Sequence, residues 1–332
     1  MPPDFGKVSM FTDHFNRRFS YLRLSVTDVC NFKCRYCLPN GYQRPQTRPQ
    51  FLSLFEIKQL VDVFASAGTT KIRLTGGEPT LRKDIDTIIE LCARTPGVET
   101  VAMTTNGFRL AQNARNWKCA GLSRVNISID SFDEQLFNQV TGTHSFHKVL
   151  DGIDTAIVCG LDVKLNTVLM RSFNFNDFLQ TLERLKDWPV ELRYIELMET
   201  LEQRVLFEKE HVSGQELKTL LVQRGWTLLE KVQNAGPAEV FVHPDYRIKI
   251  GLILPYEQNF CDSCNRLRIS AVGKLHLCLF GEDGFDLRSA LACEDPVILR
   301  DTIFEALSHK RPKHYLHQHN PGQTIHLASV GG

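Results

Sequence analysis

The chain has 332 residues, 42% of them apolar, which is enough to bury the core of one large domain or two ordinary ones. Its 39 basic and 38 acidic residues give a net charge of +1, which argues against binding to nucleic acid or to a membrane surface. Residues 1–19 contain no apolar stretch of signal-peptide length, and no segment approaches the ~18 apolar residues of a membrane helix. We therefore expect a cytoplasmic protein.

Strand-like segments alternate with helical patterns over roughly the first 200 residues. The segments rich in β-branched or aromatic residues are 21–27, 71–75, 98–104, 124–130, 162–170 and 191–198. Ser53 and Glu56 form a capping box that predicts a helix ending near Gly68. Six β-α units predict an α/β fold, a partial (β/α)6 TIM-type barrel of parallel strands.

The alternation ends after residue 198. A helix is expected over 213–225, followed by short strands within 239–254 and a group of cysteines. We predict a barrel core over residues 1–238 and a smaller C-terminal region over 239–332. This region should close the open side of the barrel, because a six-unit core cannot face water.

Ten cysteines in a reducing compartment indicate metal ligands rather than disulfides. Cys30, Cys34 and Cys37 form a C-x3-C-x2-C triplet directly after the first strand. Three thiolates at this spacing can bind three irons of a [4Fe-4S] cluster and leave the fourth open to chelate the amino and carboxylate groups of S-adenosylmethionine (SAM). A closed zinc site is disfavoured, because such sites need four ligands. The triplet resembles the radical SAM superfamily, in which an aromatic such as Tyr36 lies beside the adenine.

Glycine and polar side chains follow the later strands. The Gly76-Gly77 pair allows the backbone to approach a ligand closely, and its position resembles the superfamily segment that holds the methionine part of SAM. Polar residues at the C-terminal ends of parallel strands should meet at one mouth of a barrel. They are Thr104, Thr105, Asn106, Asn126, Ser128, Asp130, Lys164, Asn166, Glu196 and Met198.

A second triplet, Cys261, Cys264 and Cys278, predicts a second [4Fe-4S] cluster with one position free for a substrate. A zinc site with His276 as the fourth ligand remains open. Arg266 and Arg268 share one face of an extended segment and, together with Arg23 and Arg73 in the strands, indicate an anion pocket. Metal binding by the histidines at 314, 317, 319 and 326 is disfavoured, and the cysteines at 92, 119, 159 and 293 are interpreted as ordinary thiols.

The whole pattern resembles the bacterial GTP 3′,8-cyclase family of the radical SAM superfamily, whose members make the first committed intermediate of molybdenum cofactor biosynthesis. The resemblance rests on segments 22–30, 73–79, 104–107, 126–130 and 194–198, on both triplets, and on the terminal Gly331-Gly332. It implies a partial barrel of the radical SAM type and a diglycine tail that reaches the pocket.

The resemblance also implies the chemistry. SAM is cleaved at the first cluster and gives a 5′-deoxyadenosyl radical, which takes a hydrogen atom from C3′ of GTP bound at the second cluster. The C3′ radical then attacks C8 of the guanine. The implied SAM contacts are Tyr36, Gly77, Ser128 and Met198. The implied GTP contacts are Arg23, Arg73, Thr104, Lys164, Arg266, Leu267 and Arg268, and the implied catalytic set is Cys30, Cys34, Cys37, Arg266 and Arg268.

The family further implies an electron-donor protein and, downstream, cyclic pyranopterin monophosphate synthase, and it leaves a homodimer open. Two other classes compete with this interpretation. One is a radical SAM enzyme that modifies peptides with an auxiliary cluster, which a third cysteine-rich set near Cys293 would favour; the sequence has none. The other is a zinc-stabilised binding module without catalysis.

Overall fold

The computed structural model describes residues 9–47, 49–230, 236–281 and 284–324. The core is a parallel sheet whose strands pair in chain order. They are β1 (Tyr21–Ser25), β2 (Lys71–Thr75), β3 (Thr100–Thr105), β4 (Arg124–Ser128), β5 (Asp162–Leu169) and β6 (Glu191–Glu196). All six predicted strands are therefore confirmed, with ends that differ from the prediction by at most two residues.

Helices follow the strands and cover one face of the sheet. They are α1 (Leu54–Ser66), α2 (Ile85–Arg94), α3 (Leu110–Cys119), α4 (Glu134–Thr141), α5 (Phe146–Val158), α6 (Phe178–Arg184), α7 (Arg204–Glu210), α8 (Gly214–Gln223), α9 (Arg288–Ala292) and α10 (Pro296–Leu307). The predicted capping box is present at α1, where Ser53 and Glu56 cap each other. Among the described helices, none has both the length and the apolar character that a membrane crossing requires.

The C-terminal strands extend the same sheet at both edges. They are β7 (Thr227–Leu228), β8 (Glu239–Val242), β9 (Lys249–Ile253), β10 (Arg266–Ile269), β11 (Lys274–His276) and β12 (Phe285–Asp286). The strand order is β12-β11-β10-β1-β2-β3-β4-β5-β6-β9-β8-β7, so the sheet is open. β10 pairs with β1 and β9 pairs with β6, both in parallel. The sheet thus runs across residue 238, and the predicted domain division there stays a prediction.

The two faces of the sheet differ in chemistry because side chains alternate along each strand. In β1, Leu22 and Leu24 are fully buried in the apolar core beneath the helices. Tyr21 and Arg23 take the alternate positions and line a cavity on the other face. The same alternation occurs in β10, where Leu267 lies in the core and Arg268 lines the cavity. The fold therefore gathers polar side chains from many strands on its inner face.

Candidate active site

The first cysteine loop is anchored to the core between β1 and α1. Phe32 is 3% exposed, and its ring packs edge-on against the rings of Phe108 and Phe137. Within the loop, the backbone N–H of Lys33 donates to Thr141 O at 2.9 Å and that of Arg35 donates to Val140 O at 3.0 Å. The loop is therefore docked on the C-terminal end of α4, which fixes the positions from which the thiols project.

The three thiols of this loop lie close enough to influence one another. Burial raises the pKa of Cys34 well above its usual range, and the charges of Asp130, Cys37 and Cys30 raise it further. Burial also raises the pKa of Cys30 to about 11, although the backbone N–H of Phe32, which donates to Cys30 Sγ at 3.5 Å, acts to lower it. Buried, mutually repelling thiols of this kind become thiolates when a metal replaces their protons. The donor set therefore fits an iron-sulfur cluster.

Tyr36 is held beside this loop by a buried carboxylate. Its hydroxyl donates to Asp130 Oδ2 at 3.0 Å, and the N–H of Val168 donates to Asp130 Oδ1 at 2.9 Å. Burial raises the pKa of Asp130 to about 6. Asp130 lies two residues beyond Ser128, the last residue of β4, so the structure brings Tyr36 and Ser128 to the same strand end.

The glycine pair after β2 packs against the start of the cysteine loop. A Cβ on Gly77 would lie 2.5 Å from the carbonyl oxygens of both Asp28 and Val29, and one on Gly76 would lie 2.1 Å from Thr27 O. Gly77 N–H donates to Thr27 O and Glu78 N–H donates to Val29 O, both at 2.8 Å. The structure thus shows that the glycines permit a close contact between two backbone segments, whereas the sequence suggested an approach to a ligand.

Glu78 ties this turn to the loop after β3. The side chain is 1% exposed and accepts from Thr80 N at 3.1 Å and Thr80 Oγ1 at 2.6 Å. It also accepts from Thr105 Oγ1 and Asn106 N, each at 2.7 Å. Burial raises the pKa of Glu78 in spite of these donors. The loops after β1, β2 and β3 therefore form one hydrogen-bonded unit around the first cysteine group.

A cavity of about 340 Å³ lies on the inner face of the sheet. Eight basic side chains line it, namely Arg23, Lys71, Arg73, Arg124, Lys164, Arg193, Arg266 and Arg268. The only carboxylate among its described lining residues is Glu191, which lies 2.5 Å from both Lys164 Nζ and Arg193 Nε. The cavity therefore carries a large excess of positive charge in a protein whose net charge is +1.

Three arginines of the cavity are neighbours across the sheet, because Arg268 pairs with Arg23 and Arg23 pairs with Arg73. Burial, together with the charges of nearby arginines, lowers the pKa of Arg23 to about 9 and the pKa values of Arg73 and Arg268 to about 10. Arg73 Nε and both polar side-chain atoms of Asn126 are buried without a hydrogen-bond partner in the described structure. Such groups are stabilised by a bound anionic or polar ligand.

The second cysteine group forms part of the wall of this same cavity. Cys261, Cys264 and Cys278 all line it. Burial raises the pKa of Cys264, but the charges of Arg266 and Lys310 outweigh burial and lower it to about 7. This donor set also fits an iron-sulfur cluster, since thiolates are the required ligands. Within the described part of the chain, no three histidine, cysteine or acidic side chains are arranged to hold a single metal ion, and the zinc alternative with His276 stays open.

The predicted site residues occupy three places. Met198, Arg23, Arg73, Lys164, Arg266 and Arg268 line the cavity together with the second triplet. Tyr36, Gly77 and Ser128 lie at the first cysteine loop and the strand ends beside it. Leu267 is fully buried among apolar side chains on the helix face, and the hydroxyl of Thr104 is buried without a hydrogen-bond partner in the part of the chain that the structure describes. Gly331, Gly332 and His326 lie outside the described residues.

Sequence reasoning missed several residues of the cavity. Tyr21, Lys71, Arg124 and Arg193 line it, and each is an inward-facing member of a strand whose alternate residues are apolar. The alternation of polar and apolar residues along these strands was the sequence signal that could have identified them. His314 also lines the cavity; its Nε2 is buried without a hydrogen-bond partner among the described residues, while Nδ1 accepts from Leu316 N at 3.3 Å. His314 therefore belongs to this cavity, and its place among other histidines in the sequence did not reveal that.

Comparison with known proteins agrees with this geometry. Residues 24–185 match the family model of the radical SAM superfamily, and residues 190–316 match that of Molybdenum Cofactor Synthesis C. The crystal structure of Streptococcus suis SuiB bound to S-adenosylmethionine has a TM-score of 0.56 at 12% identity, covering 78% of this chain and 60% of that one. SuiB bound to precursor peptide SuiA gives 0.59 at 11% identity, covering 90% and 69%. The fold and the cysteine site together define a radical SAM enzyme.

The relatives narrow this class further. A GTP 3',8-cyclase of Haemophilus influenzae is 52% identical over 326 residues, covering 98% of this chain and 97% of the relative. Those of Vibrio parahaemolyticus and Tolumonas auensis are also 52% identical, covering 98% and 100% of this chain and 98% and 99% of the relatives. The chain belongs to the GTP 3′,8-cyclase family. A [4Fe-4S] cluster and SAM follow from the superfamily, and the noncatalytic binding module is wrong.

Proposed function

We propose that this protein converts GTP into (8S)-3′,8-cyclo-7,8-dihydroguanosine 5′-triphosphate, the first step of molybdenum cofactor biosynthesis. The observation that carries the proposal is the cavity in which eight basic side chains and three thiols face the same space. A triphosphate needs several cationic donors, and arginine forks suit phosphate oxygens. A purine presented at the thiol wall would then have its ribose directed toward the strand ends that carry the first cysteine loop.

The proposed reaction uses two groups of residues, one at the first cysteine loop and one in the cavity. Cys30, Cys34 and Cys37 would hold the cluster that SAM requires, with Tyr36, Gly77, Ser128 and Met198 around the bound SAM. When bound, the cluster and SAM supply a carbon radical able to take hydrogen from the substrate. Arg23, Arg73, Lys164 and the 266–268 segment would hold the triphosphate, while Thr104 stays a predicted contact at the end of β3.

A second [4Fe-4S] cluster at Cys261, Cys264 and Cys278 is part of the proposal. Support comes from the three thiols in the cavity wall and from the cations that favour the thiolate of Cys264. If the second cluster is present, chemical analysis of anaerobically reconstituted protein should find about eight irons per chain, whereas about four would contradict it.

The decisive experiment is turnover. Reconstituted protein supplied with a reductant, SAM and GTP should form 5′-deoxyadenosine and a cyclised guanosine triphosphate. Cys264→Ser should retain some uncoupled SAM cleavage and lose GTP turnover, because the first cysteine loop lies on other elements. Cys293→Ser is the matched control, since Cys293 is exposed and lies outside both triplets. If GTP does not stimulate SAM cleavage, or if Cys264→Ser loses both activities equally, the proposed division of labour is wrong.

The wider setting is proposed on the same basis. The use of cysteines as metal ligands supports a cytoplasmic location. The proposed reaction requires an electron-donor protein, and its product would be the substrate of a cyclic pyranopterin monophosphate synthase. A homodimer and the diglycine tail in the pocket stay predictions. The alternative of a peptide-modifying radical SAM enzyme has no comparable support, because the relatives at 52% identity are named as cyclases and the likeness to SuiB shows only the fold.

A further inference from the structure

A buried lysine lies next to the second cysteine group. Lys310 follows α10 and is only 6% exposed, although lysine is among the residues least often buried. Its Nζ donates to the backbone carbonyl of Leu277, the residue before Cys278. The ammonium also lies 5.3 Å from the centroid of the Phe19 ring. The side chain is thus fixed beside Leu277, and Lys310 is not among the described residues that line the cavity.

The charges around Lys310 do not include a carboxylate partner. Among the described residues, no acidic oxygen lies within 4.0 Å of its Nζ. The ionisable groups that act on it are Cys264, Cys278, Arg17 and Asp13. Asp13 is already bonded to Arg17 Nε at 2.6 Å, and Arg17 repels a second cation. A buried charge is costly unless an opposite charge compensates it. The anionic partners that remain for Lys310 are the thiolates of the second triplet.

We propose that Lys310 is the counter-charge of the second iron-sulfur cluster and raises the reduction potential of that cluster. The inference rests on the proposed function, since it requires a cluster at Cys261, Cys264 and Cys278. Reduction adds one electron to the cluster without forming or breaking a bond, and a fixed cation beside two of the three thiolates stabilises the added negative charge. Lys310 acts through the cluster and does not reach the cavity, so it is a positioning residue rather than a catalytic one.

The test uses the full chain with the first site removed by Cys30→Ala, Cys34→Ala and Cys37→Ala, so that only the second cluster contributes. The protein is reconstituted anaerobically with iron and sulfide and titrated with dithionite, and the reduced cluster is followed by electron paramagnetic resonance. Adding Lys310→Met should lower the ratio of reduced to oxidised cluster about tenfold at a fixed potential, which corresponds to a shift of about 59 mV for one electron. Lys310→Arg should retain the parental potential.

Two further variants make the result specific. Lys310→Gln keeps a donor for the Leu277 carbonyl but removes the charge, so it should titrate like Lys310→Met. Lys118→Met is the matched control, because Lys118 is exposed on α3 and also donates to a backbone carbonyl, that of Gly160 at 2.9 Å. It should leave the potential unchanged.

The outcomes separate the two ideas. If the parent with the first site removed binds no iron, the proposed second cluster is wrong. If it binds about four irons per chain and Lys310→Met or Lys310→Gln keeps the parental potential, the role of Lys310 is wrong while the cluster stands. If Lys310→Met and Lys310→Gln both fail to take up iron, Lys310→Arg decides: it must bind the cluster at the parental potential, and failure to do so would also overturn the inference.

Discussion

Gly77→Ala tests whether the contact between the glycine turn and the cysteine loop holds the first cluster site together. The added Cβ would lie 2.5 Å from the carbonyl oxygens of Asp28 and Val29, while an ordinary contact begins near 3.4 Å. The two segments would have to separate by roughly 0.9 Å. Such a shift stretches the bonds Gly77 N to Thr27 O and Glu78 N to Val29 O, both 2.8 Å, beyond hydrogen-bonding distance.

The expected loss of stability combines two effects. Overpacking costs about 1–3 kcal/mol, and two lost hydrogen bonds cost about 0.5–1.5 kcal/mol each. The free energy of unfolding should therefore fall by about 2–6 kcal/mol in urea titrations of the iron-free protein. Because Cys30 directly follows Val29, the iron bound at the first site should fall as well.

Gly236→Ala is the control for this experiment. Among the described residues, no atom lies within 4 Å of a Cβ added to Gly236, and its φ is not positive, so this variant should change the free energy of unfolding by less than about 0.5 kcal/mol. If Gly77→Ala unfolds like the wild type and binds as much iron, the contact does not organise the site and the reasoning is refuted.

Two further predictions concern the cavity. Arg73→Met removes a buried guanidinium whose Nε has no partner among the residues described, so the variant should bind GTP about 10–100-fold more weakly in calorimetry. Lys118→Met should bind GTP normally, and equal affinities of the two variants would contradict a phosphate role for Arg73. Burial lowers the pKa of Lys71 to about 8, and that of Tyr21 falls to about 8 because Arg73, Arg23, Lys71 and Arg266 outweigh burial. As pH rises through 8, the cavity without GTP loses a positive charge at Lys71 and gains a negative one at Tyr21, so GTP affinity should fall. Tyr21→Phe should reduce this fall. If the affinity of Tyr21→Phe changes with pH as that of the wild type does, Tyr21 does not contribute to the pH dependence.

The sequence predicted the barrel core because its strands carry strong local signals. The segment Lys71–Thr75 alternates inward polar and outward apolar side chains, and Ser53 with Glu56 marks the start of α1. The same local signal was present in Arg266–Ile269, yet its place beside β1 was not predicted. Pairing between residues about 245 apart in sequence depends on the closing of a very long loop, and no local pattern encodes it.

The residues of the candidate site were predictable from the sequence to about the same extent as the fold. Both cysteine triplets were recognisable from spacing, and the structure places Cys261, Cys264 and Cys278 in one cavity with Arg266 and Arg268. The partners of buried charges were not predictable, because they come from distant parts of the chain. Lys310 reaches the carbonyl of Leu277, and Arg17 reaches those of Arg311 and Pro312, only once the fold is complete.

The sheet acquires its edge strands last, and this order bears on how the protein matures in a cell. When β6 leaves the ribosome, β1 and β6 are still the outermost strands, since their partners β10 and β9 have yet to be made. Unpaired strand edges attract other chains, so the nascent chain exposes two edges that favour aggregation until about 70 more residues emerge. Iron loading that came before that point would fill a half-built barrel, so metal delivery is best timed after translation is complete.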